Sequence, residues 1–159
     1  MGEPVGEKVV IGIGNDGRGD DAVGLLVARR LLERGLSGIS IRELRGDPTL
    51  LLDIWENAET VILIDALRSG AAPGTLHRLD GERLPIDEKI FRFSTHGTSI
   101  AAAVELARAL GRLPRRLIIY GIEGKRFGVG EGVSPKVERC IDKAVGAIAE
   151  DLRVSALEP

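Results

Sequence analysis

The adjacent acids Asp20 and Asp21, the acid Asp65 and the imidazole of His96 have the types and settings for metal or hydrolytic chemistry. The first two lie near the end of the stretch VVIGIGNDGRGDDAVG, residues 9–24, where an apolar run gives way to a helical pattern. Asp65 follows the apolar run VILI, and His96 sits in STHG ahead of another helical pattern. Two carboxylates and an imidazole suit a divalent cation with coordination positions left open. An imidazole near a helix N-terminus is also favoured in its neutral, metal-binding form by the positive end of the helix dipole. Taken singly, each residue has an ordinary structural use. Asp20 suits a helix N-cap, and Asp21 sits in a first turn where the dipole favours a carboxylate. Asp65 could bond loop amides, and His96 could simply be solvated.

The elements around these residues decide whether they meet. VVIGI (9–13), ISIREL (39–44) and TVILIDAL (60–67) read as strands, while DAVGLLVARRLLERG (21–35) and PTLLLDIWEN (48–57) carry apolar residues at helical spacing. Gly35 closes the first helix. Such alternation implies parallel strands joined by right-handed crossovers. VILI and LIIYGI (117–122) are almost uniformly apolar, as strands covered on both faces are. GTLHRL (74–79) and KIFRF (89–93) read as edge strands. TSIAAAVELARAL (98–110) reads as a helix with Ser94, Thr95 or Thr98 available to cap it. Ser134-Pro135 opens a last helix that runs to about Arg153, followed by a frayed SALEP tail.

The expectation is a single domain over residues 1–159, with a core at about 8–153. Its fold class is α/β, a three-layer α/β/α sandwich with a mostly parallel central sheet. Ligands of such sheets bind beyond the carboxyl ends of the strands. Asp21, Asp65 and His96 should therefore converge on one sheet edge.

Composition narrows the setting. The 159 residues are 43% hydrophobic and 29% charged, as in a folded globular protein. A net charge of −2 gives no electrostatic reason to expect nucleic acid or an anionic membrane as partner. The lone Cys140 can form no internal disulfide, which fits a reducing compartment. MGEPVGEKVV does not read as a signal peptide. Gly6 stands where a myristoylation signal needs Ser or Thr. No apolar run approaches the roughly 20 residues of a membrane span. A soluble, cytoplasmic protein is expected.

Gly12, Gly14 and Gly17 also spell the G-x-G-x-x-G of a dinucleotide loop, with Glu43 available as a ribose-binding acid. The helix begins too late for that use, however, and Asp20 and Asp21 occupy the N-terminus that a pyrophosphate requires. No bound nucleotide is expected. His77 is expected exposed on an edge strand, Trp55 in the core or at its rim, Cys140 as a packed thiol, and Arg115 and Arg116 at a solvated strand end. The chain has no G-x-S-x-G, C-x-x-C or H-E-x-x-H.

GIGNDGRGDDAVG, ILIDAL followed by SGAAPGT, the STHG histidine and GIEGKRFGVGEGVSP stand in an order that resembles the hydrogenase-maturation endopeptidases. That resemblance runs from residue 8 to about 150. It implies trimming of the C-terminus of a nickel–iron hydrogenase large-subunit precursor, the protein partner, after nickel insertion. It also implies a metal-binding site of Asp21, Asp65 and His96, with Asp21 often Glu in the family. The divalent metal implied is nickel contributed by the precursor, so no independently held zinc is expected. No Ser or Cys nucleophile is evident, and water attack with Asp21 or Asp65 as general base fits the residues. One departure stands out. The family commonly carries Asp-Gly-Gly-Thr after its second strand, where this chain reads RGDPT, with Gly46 at the acid position and Asp47 one residue on. A non-enzymatic nickel-site checker using the same ligands is an alternative, and a nucleotide-binding domain is another.

Overall fold

The computed structural model describes residues 6–83 and 99–157. Within them, β1 (Glu7–Ile13), β2 (Ile39–Leu44), β3 (Ala58–Leu67), β4 (Leu76–Asp80) and β5 (Arg116–Glu123) form one sheet in the order β2-β1-β3-β5-β4. β1 runs parallel to β2 and β3, β3 parallel to β5, and β4 antiparallel to β5 at the edge. The sheet is mostly parallel, and β4 is the edge strand expected of GTLHRL. KIFRF lies outside the described residues.

The apolar run VILI (61–64) of β3 follows from its two covered faces. Val61, Leu63 and Leu67 join the core beneath α2 (Leu51–Ile54) and α3 (Ile100–Ala109). Ile62, Ile64 and Ala66 join the core beneath α1 (Val23–Glu33) and α4 (Pro135–Leu157). Successive residues of a strand face opposite ways, so a strand between two helical layers has no side left for polar residues. Trp55 is fully in the first core and donates Nε1–H to the Arg112 carbonyl at 3.1 Å. Cys140 packs in the second core, where burial raises its thiol pKa.

Three expectations shift. The stretch 48–57 gives a 3-10 turn, Pro48–Leu50, and a single turn of α2, because β3 already begins at Ala58. The cap of α3 is Ser99, whose extended backbone lets Oγ accept from the Ala102 amide at 3.0 Å. The expected caps Ser94, Thr95 and Thr98 lie outside the described residues. α4 continues past Arg153 to Leu157, so the first part of SALEP is helical.

α1 starts in direct backbone contact with the sheet. A Cβ on Gly24 would lie 2.3 Å from the Ile13 carbonyl oxygen and 2.4 Å from that of Ile64. The first turn of α1 thus rests on the ends of β1 and β3, with no side chain between. Gly24→Ala should destabilise the fold by about 1–3 kcal/mol through overpacking, despite the better helix propensity of alanine. Gly146 of α4 has nothing within 4 Å of its Cβ position. Gly146→Ala should therefore stabilise by about 0.5–1 kcal/mol. Urea unfolding of both variants checks this, and equal shifts in the same direction would remove the close-approach account.

Candidate functional site

The chain leaves β1 through Gly14 and Asn15 and returns as a 3-10 turn, Gly19–Ala22, that leads into α1. The turn closes on its own backbone. The Asn15 amide donates to the Asp21 carbonyl at 3.2 Å, and the Asp21 amide donates to that of Arg18 at 3.1 Å. The Gly14 amide reaches the Leu44 carbonyl of β2 at 3.1 Å, and Asn15 Oδ1 accepts from the Gly17 amide at 3.0 Å. A Cβ on Gly14 would stand 2.1 Å from the Asp21 carbonyl oxygen, so glycine is required there. The glycines build a tight turn that carries Asp21 into the first helical turn.

Asp20 is not the N-cap. That position falls to Arg18, which makes no capping bond. The Asp20 carboxylate instead turns inward and is wholly buried. It accepts from the amides of Lys125 (2.7 Å), Arg126 (2.9 Å) and Ser134 (2.6 Å), and from the Ser134 hydroxyl (2.7 Å). Burial by itself raises its pKa, but the Arg126, Ser134 and Lys125 amides and the Ser134 hydroxyl outweigh it and hold the carboxyl below its ordinary range.

Asp65 lies on β3 opposite Gly121 of β5, and the strand continues past it to Leu67. The residue is half-buried, and its Oδ1 accepts from the Ala66 amide at 2.8 Å. Burial pushes its carboxyl well above the usual carboxylate range and the Asp21 charge pushes it further, against the Ala66 hydrogen bond. Asp21 and Asp65 thus repel one another at the end of the sheet, a strain that a cation would relieve. His96, three positions before Ser99, lies outside the described residues. Among the described residues, no group of three or more His, Cys, Asp or Glu side chains is set to hold a metal.

A second buried anchor, Glu123 at the end of β5, was missed by sequence reasoning. It accepts from the Ser69 amide (2.7 Å), the Ser69 hydroxyl (2.8 Å) and the Gly70 amide (3.0 Å). The available signal was the same as for Asp65, an acid ending an apolar strand. His77 is half-buried rather than exposed. It pairs in register with Gly121, and its Nε2 lies 3.6 Å from Glu123 Oε2.

On the other side of the turn, Arg29 bonds Asp16 (2.9 Å) and Glu43 (2.8 Å), and Arg45 bonds the same two acids at 2.8 and 3.0 Å. Glu43 is thereby engaged and is not presented as a ribose-binding acid. In RGDPT, Asp47 Oδ1 accepts from the Thr49 amide at 2.9 Å and caps the turn that Pro48 opens. Among the described residues, no helix is long and apolar enough to cross a membrane.

A family model for hydrogenase maturation proteases, HycI, matches residues 46–151. The hydrogenase expression/formation protein HupD of Rhodobacter capsulatus is 28% identical over 153 residues, covering 94% of this chain and 73% of its own. The solved structure of the hydrogenase maturating endopeptidase HybD from E. coli aligns with a TM-score of 0.75 at 26% identity, over 94% of this chain and 93% of its own. The nickel–iron hydrogenase maturation protease HycI from Thermococcus kodakarensis aligns with a TM-score of 0.67 at 26% identity, over 92% of each chain.

The two displaced carboxyls set opposite pH dependences. Asp20 is depressed, so its stabilisation is present above the unfolded value near 3.9 and is lost as pH falls through its lower folded value. Asp65 is raised, so the fold loses stability as pH rises from about 3.9 through its higher folded value. Asp65→Asn should abolish that second loss and stabilise the protein at neutral pH. Asp20→Asn should destabilise it there by about 3 kcal/mol, because a carboxamide turns donors toward donors. Urea unfolding between pH 4 and 8 checks both, and a flat wild-type profile matched by Asp65→Asn would contradict the assignment for Asp65.

Proposed function

Because the chain belongs to the hydrogenase maturation protease family, we propose that it removes the C-terminal extension of a nickel–iron hydrogenase large-subunit precursor once nickel has been inserted. The observation that carries this reading is the pair of carboxyls, Asp21 and Asp65, that raise one another's energy at the open end of the sheet. Nickel belongs to the substrate. The precursor brings it to Asp21, Asp65 and His96, two oxygen donors and the imidazole that borderline metals favour.

The chemistry follows from the electrostatics. Before substrate arrives, burial and the Asp21 charge favour the protonated form of Asp65. A cation placed between the two acids reverses that preference, and Asp65 releases its proton to solvent. The ionised carboxylate can then take a proton from the water that attacks the scissile carbonyl and pass it to the departing amine nitrogen as the C–N bond breaks, with Asp21 holding the metal. Cleavage is thereby tied to nickel loading, since with an empty precursor burial and the Asp21 charge still bias Asp65 toward its protonated form, which is the poorer base. The reaction is placed in the cytoplasm, with no nucleic acid or membrane as partner. The RGDPT loop, with Asp47 committed to its cap, implies a precursor that differs at the surface meeting this loop.

His96→Ala and Asp21→Ala should each abolish processing of a cognate nickel-loaded precursor, and Asp21→Ala should leave thermal stability within about 1 kcal/mol, since Asp21 is only partly buried. Mass spectrometry of the precursor reads the loss of its C-terminal peptide. Wild-type activity shared by both variants would remove this site from the reaction. Binding by the wild type without any mass change would favour a nickel-site checker.

A further inference from the structure

The loop that follows β5, residues 124–134, is fastened to the Asp21 turn along two lines. Asp20 gathers the amides of Lys125, Arg126 and Ser134, while its own amide donates to the Arg126 carbonyl at 2.7 Å. Farther out, the Gly130 amide donates to the Gly17 carbonyl at 2.9 Å. The loop also braces itself, since Glu131 Oε2 accepts from the Gly128 amide at 3.0 Å. Despite its glycines, it is therefore held as one piece with the residues that carry Asp21.

What this fixed loop offers outward is unusual for a solvent-facing turn. Val129 is 77% exposed at its tip. Lys125 and Arg126 are exposed, and Arg18 of the adjoining turn is partly so. Among the described residues, none of these three cations has an ion-pair partner. An apolar side chain and uncompensated cations on a pre-ordered loop lose little entropy when a partner docks. Cations at an interface rim also steer a complementary acidic surface toward it.

We propose that residues 125–130 form the docking wall for the precursor beside the scissile bond, receiving a segment in which an apolar side chain is flanked by carboxylates. This rests on the processing reaction proposed above. Asp20 is a positioning residue for the wall, holding it in register with Asp21.

Steady-state cleavage of a nickel-loaded cognate precursor tests the wall with Lys125→Glu, Val129→Asp and the control Lys143→Glu. Lys143 is exposed on α4, so the control makes the same charge change away from the loop. KM should rise about tenfold for the first two with kcat unchanged, as for loss of a contact made equally in the ground and transition states. Lys143→Glu should match the wild type, and the salt dependence of KM should weaken in Lys125→Glu. KM values equal to that of the control, or a fall in kcat at constant KM, would overturn the docking wall while leaving the processing reaction standing. A wild type that binds the precursor without cleaving it would overturn the reaction alone, and the same contrast in Kd would then support the wall. A wild type that neither binds nor cleaves would overturn both.

Discussion

The Asp20 carboxylate has no exposed surface, and a buried carboxylate is tolerable only when donors replace the water it has lost. Here three amides and a hydroxyl do so, all from residues more than a hundred positions away in sequence. The charge therefore persists only while the loop after β5 lies folded against the turn after β1. These strands are not neighbours, since β3 stands between them. One buried carboxylate thus ties together the loops after the two strands that flank β3, over the end where Asp65 sits.

The acids at this edge sort into two kinds by the donors that reach them. Asp20 and Glu123 are both buried, and backbone amides together with a serine hydroxyl surround each. They anchor loops and have little capacity left for a ligand. Asp65 has a single amide donor and the Asp21 charge nearby, and its proton affinity is driven up. Neighbouring carboxylates of the same chemical type therefore take opposite roles. The difference lies in how many N–H groups converge on each.

Much of this was legible in the sequence, and what was not has a common cause. The apolar runs VILI and LIIYGI dictated a sheet covered on both faces, and the order of elements dictated its mostly parallel direction. The glycines of residues 12–24 signalled a turn too tight for side chains, and Asp65 at the end of VILI signalled its place at the sheet end. Asp20 was misread as a cap because capping is a local pattern, whereas its true donors come from the far end of the chain. His77 was misread for the same reason, since its neighbour Glu123 comes from a different strand. The convergence of Asp21 and Asp65 could be inferred because it needed only topology. His96, on which the third ligand depends, lies outside the described residues.

The two sides of the Asp21 turn are held with unequal strength. On the β5 side the bonds are buried and directed at a full charge, the kind whose loss leaves an uncompensated ion. On the β2 side the links are the pairs of Arg29 and Arg45 with Asp16 and Glu43, which are largely open to solvent. Pairs of that kind contribute between nothing and about 1 kcal/mol each and weaken with salt. RGDPT lies on this weaker side, with Pro48 stiffening the short turn that Asp47 caps. Adjustment to a protein substrate is therefore cheapest at the β2 side, where, apart from the Gly14 amide bond to the Leu44 carbonyl, the links are exposed pairs. The β5 side cannot yield without stranding the Asp20 charge, so it sets the frame against which any precursor must align.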